Sequence, residues 1–220
     1  MTKHGVVASL LTLTSGVVLL CAALALWRRV ARGIVGALRL QGFALATTAS
    51  LLGVQLHEPL LITTAALLVI VKGFVIPALF GRIIRLDPAS SETDPVVNVP
   101  ASLVAAVFLT MVAFVATRPI VNSFHTLPVA LVPFGFATVL IGLFVLVARR
   151  NAVSQMVGLL LVDNGIGLIA LLLTTGLPML IELGGTLDVL LVVVVLRVLV
   201  TRLHDEIGVL DLDALQELHD

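Results

Sequence analysis

The chain has 220 residues, of which 60% are hydrophobic and 12% charged, whereas a soluble domain is roughly half apolar and a quarter charged. Too few polar side chains remain to clothe a water-facing surface, so lipid is the expected solvent. The 13 Lys and Arg balance 13 Asp and Glu, which argues against a nucleic-acid surface, and the lone Cys21 excludes an internal disulfide, a four-thiolate zinc site and a cysteine-ligated iron–sulfur cluster.

A helix that crosses the hydrocarbon core needs about 20 mostly apolar residues. Runs of this kind fall at 6–27, 34–56, 60–80, 99–117, 128–148, 153–176 and 180–203. They are continuously apolar, without two-residue alternation, so the expected fold is an all-α polytopic bundle of about seven spans and not a barrel. The first run follows Lys3 and His4 and contains Ala23-Leu24-Ala25, the ingredients of a signal peptide. From Gly5 to Trp27 it is longer than a signal core, and it is read as a retained span. Pro59, Pro100, Pro128 and Pro178 stand near proposed span ends, while Pro77 and Pro133 fall inside spans, as membrane helices tolerate.

Cationic residues set the orientation. Arg28, Arg29, Arg32 and Arg39 follow the first span or open the second, Arg82 and Arg85 follow the third, Arg149 and Arg150 the fifth, and Arg202 the seventh. The opposite side has Lys3 and Arg118. Seven spans with this bias place the N-terminus outside and the C-terminus in the cytoplasm. The loop at 86–98 reads as a polar connector. The tail at 204–220 is acidic, and Val209, Leu210, Leu212, Leu215 and Leu218 give it an amphipathic pattern suited to docking on a subunit or on the protein's own cytoplasmic side.

Three ionisable residues lie well within spans: Lys72 in the third, Asp163 in the sixth and Asp188 in the seventh. A charge at a helix centre costs about 2.5–3.5 kcal/mol on insertion scales, so these groups are expected to face a bundle interior, a partner or water. Lys72 is too deep to reach the interface easily. It either ties helices together by pairing with an aspartate or relays protons, and the two roles are compatible. Asp163 shares a helical face with Gly167, Ala170 and Thr174, and nearly with Gln155, while Asn164 and Gly165 adjoin it. Small residues there allow a neighbouring helix to approach closely. Asp188 has Gly184 and Gly185 one turn before it. Each acid either exchanges a proton or stays neutral and donates an interhelical hydrogen bond.

Glu58, near a span end, can stay solvated. Gln41, Gln55, Thr63 and Thr64 extend a wet path or bond between helices, whereas Thr12, Thr14, Thr47 and Thr48 are expected to bond back to helix carbonyls. Arg197 reads as an interfacial anchor. His4, His57, His125, His204 and His219 all lie at span ends, in loops or in the tail, so paired ligands for a buried haem are missing. No phosphate loop or nucleophile elbow is found. The chain itself is expected to carry no cofactor, no metal and no catalytic residue.

From about 128 onward the chain has an apolar span, then Ala148-Arg149-Arg150-Asn151, a span with a buried acid and Asn164, a span with Asp188, and the tail Leu210-Asp211-Leu212-Asp213-Ala214-Leu215. This order resembles the three-helix K subunit of complex I and the C subunit of multi-subunit cation/proton antiporters. In that family the Arg-Arg-Asn turn precedes a helix with a proton-transferring glutamate, which by direct count would fall at Leu160. Asp163 stands one turn further on, so the likeness is one of role and region. The whole chain resembles component E of hydrogenase-4 and formate hydrogenlyase, through Gln41, Glu58, Lys72 with Pro77, the run Arg150-Asn151 to Asp163-Asn164-Gly165, Thr186-Leu187-Asp188 and the Leu210-Asp211 tail.

The resemblance implies three parts: an N-terminal four-helix extension over 1–127, a K-like three-helix module over 128–203 and a cytoplasmic tail over 204–220. It also implies a multi-pass subunit of a bacterial or archaeal cell membrane, in the membrane arm of an energy-converting hydrogenase or complex-I-like assembly. Its partners would be antiporter-like large membrane subunits, other membrane-arm subunits and, indirectly, a nickel–iron and iron–sulfur peripheral arm. Lys72, Asp163, Asp188 and Glu58 are the proton-transfer candidates, supported by Gln41, Asn164 and Gln155. The competing expectations are a subunit of a cation/proton antiporter, a self-sufficient transporter, and a structural anchor without a proton path.

Overall fold

The computed structural model describes residues 3–27, 31–86, 98–149 and 152–173, and every regular element among them is helical. Helix α1 runs Lys3–Trp27 and α2 runs Ala31–Leu56. A single long helix follows in three registers: α3 at Pro59–Leu68, a π-helical segment at Val69–Val75, and α4 at Ile76–Leu86. Then come α5 at Val99–Ala116, the short α6 at Arg118–Ser123 and α7 at Leu127–Ala130, and the pair α8 at Val132–Ala148 and α9 at Ala152–Leu173. Six of the expected spans are present as apolar helical stretches of membrane-crossing length: Gly5–Trp27, Gly33–Leu56, Pro59–Arg82, Val99–Ser123, Leu127–Ala148 and Ser154–Leu173. The expected seventh span and the tail lie outside the described residues.

Proline places several of the breaks. Five helices, α3 and α5 to α8, carry Pro in their first turn, where the missing N–H costs nothing and the fixed φ suits a helix start. The fifth span is interrupted at Leu131 (φ −95°, ψ −6°). Pro133 falls inside this span, as expected, and stands in the first turn of α8. Pro77 accounts for the π segment. Its ring would collide with the carbonyl four residues back in an α-helix, and the chain widens by one residue just ahead of it. There the N–H of Ile76 reaches the Val71 carbonyl, five residues back.

The α2–α3 turn is a C-terminal capping motif. His57 adopts a left-handed conformation (φ 55°), and the Glu58 N–H donates to the Gly53 carbonyl at 3.0 Å, closing the six-to-one bond of a Schellman turn. Pro59 holds the preceding Glu58 extended (φ −99°, ψ 105°).

Helix α2 occupies the middle of the described bundle, packing on α1, on the α3–π–α4 helix and on α9. Leu11 and Val18 of α1, Leu45, Ala49 and Leu52 of α2, Leu61 of α3 and Leu168 and Leu172 of α9 belong to one buried cluster. Helix α5 rests on α8 and α1 and exposes Val104, Val107, Phe108 and Met111, a composition that suits acyl chains.

The α8–α9 pair is set by glycine. A Cβ at Gly135 would lie 3.0 Å from the Gly165 carbonyl oxygen, and one at Gly165 would lie 2.9 Å from the Gly135 oxygen. Gly142 and Gly158 oppose each other in the same way, each 2.9 Å from the other's oxygen. The seven-residue spacing on both helices keeps all four glycines on facing stripes, so the two backbones touch.

Candidate functional site

Lys72 sits in the π segment, and its side chain crosses to α9. Its Nζ lies 2.7 Å from Asp163 Oδ2, with side-chain exposures of 4% and 10%. Both residues fall near the middle of their spans, Pro59–Arg82 and Ser154–Leu173, where water is scarcest. A carboxylate and an ammonium in direct contact neutralise each other, which makes the depth tolerable for either charge.

Glycines make the geometry possible. A Cβ at Gly42 of α2 would stand 2.6 Å from the backbone carbonyl of Lys72, so α2 and the π segment meet backbone to backbone. Gly73 lies under the Phe43 ring, which would be 3.2 Å from a Cβ there. Phe43 in turn packs edge-on against Phe74 at 5.5 Å and 87°. Gly167, one turn after Asp163, leaves its face open to the lysine: a Cβ there would be 3.5 Å from Nζ. The sequence indicated Gly167 as a place for a close neighbour, and the neighbour is an ammonium group.

A second polar contact runs beside the ion pair. Asn164 Nδ2 donates to Gln41 Oε1 at 3.0 Å, and Gln41 Nε2 donates to the Val18 carbonyl at 2.8 Å. Gln41 is 0% exposed. The amide pair thus satisfies itself across α9, α2 and α1, in keeping with the rule that buried polar groups must find partners. Four of the sequence-selected residues, Lys72, Asp163, Gln41 and Asn164, are brought to one buried locus.

The others fall elsewhere. Glu58 is exposed at the start of α3, about 21 Å from Lys72 along the helix axis at roughly 1.5 Å per residue. Gln155 is exposed and donates to the Arg149 carbonyl at 3.1 Å, away from the acid it was grouped with. Asp188 and Arg197 lie outside the described residues. Thr12, Thr14, Thr47 and Thr48 bond back to helix carbonyls as expected, and so do Thr63 and Thr64. The Thr48 and Thr14 hydroxyls also lie 2.8 Å apart, within hydrogen-bond distance between α2 and α1.

Three residues have roles that the sequence reading missed. Gly42 and Gly73 were hidden among many membrane glycines, although Gly42 directly follows the selected Gln41. Arg149, read from the sequence as a cytoplasmic charge and part of the Arg-Arg-Asn turn, is buried and donates through Nη2 to the Leu26 carbonyl at 3.2 Å. It closes the C-terminal end of α1, where the helix dipole favours a cation.

No family model matches the chain, and no solved structure matches it. An uncharacterised protein of Mycobacterium tuberculosis is 41% identical over 212 residues, covering 96% of each chain. Hydrogenase-4 component E of Escherichia coli K12 is 31% identical over 168 residues, covering 73% of this chain and 74% of that protein, and the Shigella flexneri protein of the same description matches equally.

Proposed function

This chain belongs to the hydrogenase-4 component E family, and from that premise we propose that it is a membrane-arm subunit contributing buried charges to proton or sodium movement, coupled to electron transfer elsewhere in its complex. The observation that carries the reading is the Lys72–Asp163 contact at mid-span. A hydrogen bond between an ammonium and a carboxylate is a track along which one proton can shift. Its position responds to any change in hydration or in nearby charge. A conformational change in an adjacent antiporter-like subunit would supply that change. Asp188 is a further proton-transfer candidate, and the redox chemistry would belong to a peripheral arm with nickel–iron and iron–sulfur centres. The bacterial or archaeal cell membrane is the proposed setting.

The experiment is Asp163→Asn in membranes that hold the assembled complex. Asn keeps the side-chain shape, so the complex should still assemble on native gels while redox-driven acidification is lost. Acidification at the wild-type rate would remove Asp163 from the path and leave the pair as a tie between helices.

A further inference from the structure

We propose that Lys72 is the residue that sets ion specificity at this locus. Its ammonium fills the place beside Asp163 that a sodium or lithium ion would need, so the pair exchanges protons and excludes alkali cations. The proposal rests on the reading of the pair as part of an ion path.

Two observations carry it. First, Nζ touches Oδ2 directly at 2.7 Å, and a second monovalent cation would meet a carboxylate already neutralised, with like charge against like in a poorly screened interior. Second, the head group packs directly on the α9 face beside the acid. Asp163 and Gly167 are one turn apart, and Nζ rests 3.5 Å from the missing Cβ of Gly167.

Removing the ammonium should therefore open a cation-sized space against a buried carboxylate, next to the amides of Asn164 and Gln41. That carboxylate must then take up either a proton or an alkali ion.

The full-length protein in detergent at alkaline pH, titrated with sodium chloride against choline chloride at fixed ionic strength, tests this by thermal unfolding. The wild type should unfold at the same midpoint in both salts. Lys72→Met should show a saturable sodium-dependent rise, about 3–6 °C at ten times the dissociation constant, and Lys72→Met/Asp163→Asn should lose it. A saturable sodium response in the wild type, or a folded Lys72→Met that treats sodium and choline alike, would overturn the assignment. Should Lys72→Met not fold, Lys72→Gln serves in its place. The wild-type titration remains decisive against the proposal in either case. Unfolding does not depend on transport, so failure here is distinguishable from failure of the Asp163→Asn acidification test.

Discussion

At the scale of single residues, the ion pair is held by mutual need more than by surplus stability. Removing one member of a buried pair strands the other charge and costs about 3–5 kcal/mol, while replacing both with well-packed apolar residues is often neutral. Lys72→Met and Asp163→Asn should each lower the unfolding midpoint of the purified chain, and Lys72→Met/Asp163→Leu should recover most of that loss. The recovered double variant should still fail to drive acidification when assembled in membranes. Coupling that survives in it would reduce the pair to structural glue. Both residues were legible in the sequence, because an ionisable group inside an apolar run is costly enough to stand out. Their pairing was not. Two aspartates competed for the lysine in the sequence, and the outcome depends on how α2, with Gly42 against the Lys72 backbone, brings the π segment near α9.

At the scale of elements, the α8–α9 contact makes the sharpest demand on side-chain size. Gly142→Ala would place a Cβ 2.7 Å from the Val162 nitrogen, and Gly165→Ala one 2.8 Å from the Val139 nitrogen. Backbone cannot yield as a flexible side chain can, so each change should destabilise by about 1–3 kcal/mol. Gly16→Ala in α1 meets nothing within 4 Å, and there the better helix propensity of alanine should leave stability equal or slightly raised. Unfolding midpoints of the three variants in one detergent would check the contrast. The helices themselves were legible because lipid leaves the backbone no other way to satisfy its polar groups. The π segment and the break at Leu131 were less so. Pro77 and Pro133 were visible, but whether a proline widens, bends or restarts a helix depends on what its neighbours pack against.

At the scale of the whole molecule, the distribution of arginine implies an N-terminus outside and the 86–98 loop inside. In a Cys21→Ala background, a cysteine placed at His125, exposed between α6 and α7, should react with an impermeant maleimide added to intact cells. One placed at Ser91 should react only after the membrane is opened. The reverse pattern would invert the topology. The bundle also mounts its two charged partners on supports of unlike helical geometry. The acid rides on a helix locked to its neighbour by four glycines at backbone contact. These stand on the far side of α9, since Asp163 lies roughly 140–160° round the helix from Gly158 and Gly165. The lysine hangs from a stretch that already carries one residue too many for an α-helix. Each charged residue is therefore carried by a backbone in glycine-mediated contact with a neighbour, Lys72 against α2 at Gly42 and Asp163 on the helix that meets α8, and the lysine's support alone departs from α-helical register.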